Sequence, residues 1–293
     1  MTRPQHGVPR TPRRAGTHRV ACRVGSVLLV ALLCGGCAPS LMKLPSAAGA
    51  PASDAGAALR DATSTCRGIS TMSAELGVSG SIGGQGVRGR MLVGLAAPAS
   101  ARLEAVAPFG QPAFIFVARG DDATLLLPRD DRVLQHGKSE AVLEAVAGVP
   151  LAAADLRSAL TGCSTSTSDT GKMAGDDWRI MTDGPSELYL HRESHSGPWQ
   201  LVAVVHRDTN GSGWRAEYRD FQSGLPRAVR LASLDASRFD LRLLLSQLEI
   251  NTTLGADVFQ VTIPPTAAPI SLAELKASSP LRGKSDRGSD GAK

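Results

Sequence analysis

The feature that most constrains this chain is a period-two alternation of apolar and polar residues over most of the segment from residue 72 to residue 263. In one stretch, Met91, Val93 and Leu95 alternate with Arg88 and Arg90. A β-strand places successive side chains on opposite faces, so each stretch predicts a strand with one apolar face. About ten such stretches in succession predict one large, curled antiparallel sheet, whose apolar face must be buried against another layer.

Segments with helical spacing interrupt this pattern and provide the second layer. Ser53 or Asp54 can cap the first helix and Ser139 the second, while Gly148 and Gly162 are expected to end two of them. The predicted helices cover residues 54–68, 139–148, 156–162 and 271–276. The fold class is therefore α+β, with helices on the concave face of the sheet and room for a cavity beneath them.

Two local features of the sheet are also predicted. Gly83 and Gly84 form the turn of a hairpin between the first two strands. In the last long strand, apolar residues have odd numbers up to Leu245 and even numbers from Leu248. This change of phase indicates a bulge or corner near Ser246.

The N-terminal segment has the organisation of an export signal. Six arginines and no acidic residue precede an apolar run over residues 24–33, which is shorter than the roughly 20 residues of a transmembrane helix. The run ends in Leu-Cys-Gly-Gly-Cys at residues 33–37, which resembles a lipobox, although Cys34 stands where leucine is usual. We expect residues 1–36 to be a lipoprotein signal peptide and Cys37 to carry the lipid, including palmitate. An ordinary signal peptide, with Cys37 left as a thiol, is the alternative.

The charge of the chain is concentrated in this leader. The formal net charge is +5, but without the six leader arginines 26 Lys and Arg face 27 Asp and Glu. No basic surface for nucleic acid is therefore expected. Residues 37–53 are rich in Ala, Pro, Ser and Gly and predict a flexible linker behind the lipidated Cys37, and residues 277–293 predict a disordered tail. The domain between them, residues 54–276, is long enough for a large core or a lined cavity.

Cys66 and Cys163 are the cysteines that remain outside the leader and the lipidation site. Two thiols in an oxidising compartment favour a disulfide. Each lies at the end of a predicted helix, on its apolar face, which also favours pairing. Two buried, unpaired thiols are the alternative, and two cysteines are too few for a metal site.

Signals for catalysis are weak. His191, Glu193 and His195 share one face of a strand and could hold a metal, but an exposed polar strand edge explains them more simply. Ser40 and Lys43 have the Ser-x-x-Lys spacing of an acyl-transfer nucleophile but lie in the predicted linker. The sequence has no phosphate-binding loop, dinucleotide fingerprint or nucleophile elbow. We expect a protein that is not an enzyme and has neither cofactor nor metal.

Several short motifs occur between residues 60 and 265 in a characteristic order. They are Arg-Leu-Glu-Ala-Val-Ala-Pro-Phe-Gly at 102–110, Gly-Asp-Asp-Ala-Thr-Leu at 120–125, the helical segments at 143–148 and 155–162, Trp-Arg-Ala-Glu-Tyr at 214–218, and the apolar stretches at 239–245 and 259–264. This ordered set resembles the LolA/LolB superfamily of lipoprotein localisation factors, in particular its LolB-like outer-membrane members. The resemblance implies an incomplete antiparallel β-barrel of about 10–11 strands, closed by a helical lid over a hydrophobic cavity for acyl chains.

The resemblance also implies which residues handle cargo. Acceptor members of the family carry an exposed apolar residue in a Pro-Leu-Gly loop, and the matching residues are Pro108, Phe109 and Gly110. Phe109 could instead fold back into the core. The candidates for lining the cavity are apolar residues of predicted strands, for which simple core packing is the alternative: Met91, Val93, Leu103, Trp214, Tyr218, Phe239, Leu241 and Leu243.

Taken with the leader, the resemblance predicts a membrane-tethered periplasmic protein that binds the acyl chains of lipoproteins or lipids. It would accept such cargo from a periplasmic carrier protein and deliver it to the outer membrane. Ala38, which follows the lipidated cysteine, favours the outer membrane by analogy with sorting in diderm bacteria. A sensor of envelope stress with the same fold and a structural lipoprotein are the alternatives. The short helix at 271–276 and the cysteine pair depart from the LolB pattern and leave the cargo open.

Overall fold

The computed structural model describes residues 40–46, 49–107, 110–209, 211–235 and 237–278. The signal peptide, Cys37, Ala38, Pro108 and Phe109 lie outside the described residues. The chain divides into two compact units, Met1–Lys43 and Leu44–Lys293. All helices and strands named below belong to the second unit.

Four α-helices and fifteen strands make up the described part of this unit. The helices are α1 (Ala55–Ala62), α2 (Ser139–Ala147), α3 (Ala153–Thr161) and α4 (Leu272–Ser278). The strands are β1 (Ala50–Pro51), β2 (Thr71–Ile82), β3 (Gln85–Ala96), β4 (Ser100–Val106), β5 (Ile115–Arg119), β6 (Asp122–Leu127), β7 (Arg132–Lys138), β8 (Gly171–Met173), β9 (Trp178–Asp183), β10 (Ser186–His191), β11 (Gln200–Arg207), β12 (Gly213–Arg219), β13 (Ala228–Ser233), β14 (Phe239–Ile250) and β15 (Ala268–Pro269).

All of these strands belong to one open sheet. Its order is β1-β8-β9-β10-β11-β12-β13-β14-β2-β3-β4-β5-β6-β7-β15. The sheet therefore consists of two antiparallel meanders, β2 to β7 and β8 to β14, which join where β14 pairs with β2. Among the strands in the described ranges, β15 alone pairs in parallel, with β7. The expected large antiparallel sheet and α+β class are confirmed.

The sheet has fifteen strands, more than the 10–11 expected, and twelve remain when the three very short ones are left out. β1 and β15 have two residues each, and β8 has three. β1 lies within the segment expected to be a flexible linker, where the N–H of Ala52 donates to the carbonyl of Gly171. α4 likewise extends to Ser278, beyond residue 276, because the side chain of Leu275 is fully buried in the core.

The first helix is shorter than expected. α1 ends at Ala62, and residues 66–68 form a separate 3-10 turn, although one helix was predicted over residues 54–68. The hydroxyl of Thr63 donates to the carbonyl of Leu59 at 2.7 Å, and that of Ser64 donates to the carbonyl of Asp61 at 2.8 Å. Such side-chain bonds compete with the backbone ladder, and they end the helix at this point.

The serine and aspartate expected to cap helices have other partners. The carboxylate of Asp54 precedes α1 but accepts both guanidinium hydrogen bonds of Arg179, at 2.6 and 2.8 Å. These bonds lower the pKa of Asp54 below its ordinary value of 3.8. Ser139 is the first residue of α2 and fully buried, and its hydroxyl accepts a bond from the N–H of Ala153 at 3.3 Å. Ser139 therefore ties the start of α3 to the start of α2.

Other local predictions are confirmed. Gly148 and Gly162 follow α2 and α3 with φ of 71° and 63°, in the left-handed region that glycine adopts most easily. Gly83 and Gly84 form the turn between β2 and β3. The pairing of β14 with β2 shifts between Ser246 and Glu249, where the bulge was expected.

The helices cover the concave face of the sheet in two groups. α1 packs against β8 to β11. α2 packs against β6 and β7, α3 lies against β4, and α4 packs on α2. A disulfide between Cys66 and Cys163, with Cα atoms 5.7 Å apart, joins the turn after α1 to the residue that follows Gly162. Arg157 of α3 also donates to the carbonyl of Ile69. The end of α3 is thus fastened to the chain that leads into β2.

Candidate functional site

An apolar pocket lies between the concave face of the sheet and the helices α2 and α3. Its volume is about 150 Å³. The lining comes from five strands, two helices and the segments between them. The strands provide Leu76, Val78 and Ile82 of β2, Val87, Arg88, Gly89, Arg90 and Met91 of β3, Leu103 and Ala105 of β4, Leu231 of β13, and Leu241 and Leu243 of β14. The remaining residues are Leu143 and Ala147 of α2, Leu156, Ala159 and Leu160 of α3, Val149 and Leu151 between these helices, and Phe114 just before β5. Such a lining excludes polar ligand groups, because no hydrogen bond compensates for their loss of water.

The apolar pocket reaches the surface at the first half of β3. Of the described residues that line it, only Arg88 and Arg90 carry a charge, and both are exposed. β4 pairs with β3 only from Arg90 onwards, so residues 85–89 are paired on the β2 side alone. The break in pairing leaves a gap in the sheet, and this gap is the mouth of the apolar pocket.

The segment with the predicted Pro-Phe-Gly loop starts beside this mouth. β4 ends at Val106, which pairs with Arg90. Pro108 and Phe109 lie outside the described residues, but Gly110 is exposed, with φ of 80°. Ala113 then donates from its N–H to the carbonyl of Ala105 and returns the chain to the sheet. Val106 and Ala113, on either side of this segment, therefore both lie on the sheet next to the gap.

A second, polar pocket of about 320 Å³ lies under the other side of α3. It is lined by Glu140 of α2, residues 150–152 of the link, Asp155, Ser158 and Ala159 of α3, residues 163–165, Asp183 of β9, Ser186 and Leu188 of β10, Val204 and His206 of β11, and Trp214 and Tyr218 of β12. The imidazole of His206 stacks on Trp214 at 5.3 Å and shares a hydrogen bond of 3.0 Å with the hydroxyl of Ser186. Both ring systems are therefore held in place.

The residues predicted to line a cavity fall into three groups. Four of them, Met91, Leu103, Leu241 and Leu243, line the apolar pocket. Two, Trp214 and Tyr218, line the polar pocket instead. Val93 and Phe239 line neither of the two and are buried in the core, with 4% and 1% of their surface exposed.

Sequence reasoning missed the helical wall of the apolar pocket. Leu143, Ala147, Leu156 and Leu160 line it from α2 and α3. Their helical spacing marked them as apolar positions, but spacing alone does not say which strands a helix covers. The acidic residues of the polar pocket were missed as well, because isolated Asp155 and Asp183 carry no signal in the sequence.

The weak catalytic candidates have ordinary surroundings. His191 packs against Trp178 at 4.4 Å between ring centres, and His195 lies 3.7 Å from a carboxylate oxygen of Asp177. Within the described ranges, no group of three or more His, Cys, Asp and Glu side chains is placed to hold a metal ion. No helix in the described part of the chain is both long enough and apolar enough to cross a bilayer.

Three solved structures illustrate what the fold of this chain is similar to. The putative outer membrane lipoprotein-sorting protein domain from Vibrio parahaemolyticus is 15% identical, with 70% of this chain and 97% of that chain covered and a TM-score of 0.44. A LolA superfamily protein from Nitrosomonas europaea is 13% identical, with 71% and 97% covered and a TM-score of 0.48. A DUF1329 family protein from Desulfovibrio piger is 12% identical, with 71% and 97% covered and a TM-score of 0.45.

Comparison of sequences adds no further relative. No protein-family model matches the chain, and no curated protein matches it. The structural similarities have TM-scores below 0.5 and identities of at most 15%. What the chain binds is therefore inferred from its own pocket and surface.

Proposed function

We propose that this protein is a membrane-tethered, LolB-like acceptor that binds the acyl chains of lipoproteins or lipids in its apolar pocket and delivers them to the outer membrane. The observation that carries the proposal is the apolar pocket itself. Among the described residues of its lining, only Arg88 and Arg90, at the mouth, have a charged or polar side chain. A hydrocarbon chain is the ligand that gains most from such a lining, at about 0.8 kcal/mol for each CH₂ removed from water.

The helices α2 and α3 act as the lid of this pocket. They contribute Leu143, Ala147, Leu156, Ala159 and Leu160 to its lining and close its concave side. α3 is the fixed part of the lid, because Cys163 is covalently bound just beyond its end. α2 is attached on its outer side by pairs of Glu144 with Arg238 and Lys276, at 2.7 and 3.4 Å. Exposed pairs of this kind contribute at most about 1 kcal/mol each.

The size of the pocket requires the lid to move. An apolar cavity of about 150 Å³ accommodates a molecule such as benzene, and the apolar pocket has this volume. A full acyl chain therefore needs α2 and the link to α3 to shift away from the sheet. In this proposal α2 is the helix that moves, because the disulfide holds the end of α3 covalently, while α3 and the sheet keep their places.

The mouth is arranged for exchange with a membrane. Val106 and Ala113, which bracket the Pro-Phe-Gly segment, lie beside the gap through which a chain would pass. In this proposal Phe109 enters the bilayer and the lipid on Cys37 keeps the domain near its target. Arg88 lies at the same opening, where its positive charge favours anionic lipid headgroups, while Arg90 forms an ion pair with Glu75 at 3.4 Å. Cargo would arrive from a periplasmic carrier protein.

Bound lipid tests the proposal directly. The full chain is exported with Cys37→Ser, which removes its own acyl chains, and is then extracted with organic solvent. Mass spectrometry of the extract is expected to show lipids or acylated peptides in a ratio approaching one per protein molecule. A second sample is incubated with dodecanoyl-chain ligands and titrated by calorimetry. A protein that is empty after extraction and binds no added chain contradicts the proposal.

Replacement of Phe109 by glutamate should separate delivery from binding. A charged side chain costs up to about 3 kcal/mol in the hydrocarbon region, so transfer of a bound acyl chain to vesicles should slow by at least about tenfold. Binding of the same chain should be unchanged, because in this proposal Phe109 contacts the membrane and not the bound chain. The control is Gln111→Glu, which adds the same charge at an exposed position of the same segment. Equal transfer by both variants and the wild type would show that Phe109 does not enter the membrane.

A further inference from the structure

The polar pocket adjoins the apolar pocket. Leu151, in the link between the helices, and Ala159 of α3 line both. The two pockets therefore lie on opposite sides of these two small or flexible side chains. A ligand with an apolar tail and a polar head could place one end in each, with the junction at Leu151 and Ala159.

The charge of the polar pocket determines which head group of a ligand it can bind. Glu140, Asp155 and Asp183 line it, and no Lys or Arg is found among its described lining residues. A phosphate or carboxylate placed here would meet the negative charge of Glu140, Asp155 and Asp183, which repels it, and water screens part of this repulsion because all three residues are exposed. A head that donates hydrogen bonds and carries no negative charge is attracted instead. This pattern differs from the mouth of the apolar pocket, where arginines stand.

Tyr218 provides an independent sign of a ligand. It lines the polar pocket, only 2% of its surface is exposed, and its hydroxyl forms no hydrogen bond with the residues that the structure describes. The hydroxyl therefore has no hydrogen bond within the described part of the chain to give up when a ligand in the polar pocket bonds to it. Burial also raises the pKa of this phenol, so it stays protonated and can donate at neutral pH. A carbonyl oxygen is the matching group on a ligand.

We propose that the polar pocket binds the head of the same molecule whose chain enters the apolar pocket, and that this head is an acyl amide without negative charge. The amide carbonyl accepts a hydrogen bond from Tyr218, and the donors beyond it face Asp155 and Asp183. The inference rests on the proposed function, since it requires a chain in the apolar pocket. It narrows the cargo to N-acylated amines and peptides and excludes acyl chains that end in a free carboxylate or phosphate.

The test uses two ligands that differ only in charge. N-dodecanoylglycinamide and N-dodecanoylglycine have the same chain and the same acyl amide, but the first ends in a carboxamide and the second in a carboxylate. Both are titrated by calorimetry, below their critical micelle concentrations and at low ionic strength, into the full chain carrying Cys37→Ser. The glycinamide is expected to bind at least about tenfold more tightly.

Three variants test whether residues of the polar pocket cause this preference for the glycinamide. Asp155→Asn with Asp183→Asn should bring the two dissociation constants to within about twofold of each other. Asp121→Asn with Asp130→Asn removes the same charge from exposed positions that line neither pocket and should keep the preference. Tyr218→Phe, which preserves the ring, should weaken both ligands by about three- to tenfold.

The outcomes separate the two proposals. Equal affinity of both ligands for the wild type overturns the head site but leaves acyl binding in place. A preference that survives in the Asp155 and Asp183 variant, or is lost equally in the Asp121 and Asp130 control, also overturns it. Failure of both ligands to bind overturns the proposed function itself, and the head site with it.

Discussion

A chain with tryptophan in place of Ala147 is expected to lose acyl binding almost completely. Ala147 is half-buried near the end of α2 and lines the apolar pocket. An indole is larger than benzene, which fills a cavity of about 150 Å³, so the new side chain occupies the pocket. Loss of about six buried CH₂ groups at about 0.8 kcal/mol each corresponds to roughly a thousandfold increase in Kd. Titration of a dodecanoyl ligand measures this change.

The control for this substitution is on the same helix. Ala141 is also a half-buried alanine of α2, but it does not line the apolar pocket. Ala141→Trp therefore adds the same side chain to α2 without filling the pocket. The Kd of this variant for the dodecanoyl ligand should stay within about threefold of the wild-type value. Thermal unfolding of both variants checks that each is folded. A folded Ala147→Trp chain that binds the ligand normally would show that acyl chains lie elsewhere.

Local structure was predictable from the sequence wherever a single residue type or a change of pattern determines the backbone conformation. Gly148 and Gly162 end helices because only glycine adopts the left-handed conformation without strain. The phase change around Ser246 identified a bulge, since a strand cannot change its inward face without one. The early end of α1 was missed, because the hydroxyls of Thr63 and Ser64 interfere with the helix only through bonds that spacing does not reveal.

The division of the site into two pockets was beyond sequence reasoning. Trp214 and Leu241 both face the concave side of the sheet, as alternation predicted, yet they line different pockets. Which pocket a strand residue meets depends on where α3 crosses the sheet. That position is set by contacts distant in sequence, such as the bond between Arg157 and the carbonyl of Ile69. Alternation identifies the face of a strand but not the helix above it.

Removal of the disulfide is expected to be the most destabilising change in the domain. Cys66 and Cys163 are separated by 97 residues, and a cross-link over a loop of about 100 residues contributes up to about 4.7 kcal/mol in the chain-entropy account, with about 2–4 kcal/mol typical. Cys66→Ala with Cys163→Ala should therefore lower the free energy of unfolding by about 3 kcal/mol. For a domain of this size the Tm should fall by roughly 6–12 °C. Urea and thermal unfolding measure the two quantities.

Reduction of the wild-type chain distinguishes the bond from the side chains. Dithiothreitol should bring the wild-type Tm down to that of the double alanine variant and leave the variant unchanged, because the variant has no bond to lose. The disulfide also fixes the end of α3, the stationary part of the proposed lid, so its loss should free both helices. Acyl chains should then enter and leave faster in the variant than in the oxidised wild type. An unchanged Tm in the variant would mean that Arg157 and the core packing of α3 hold this end of the lid by themselves.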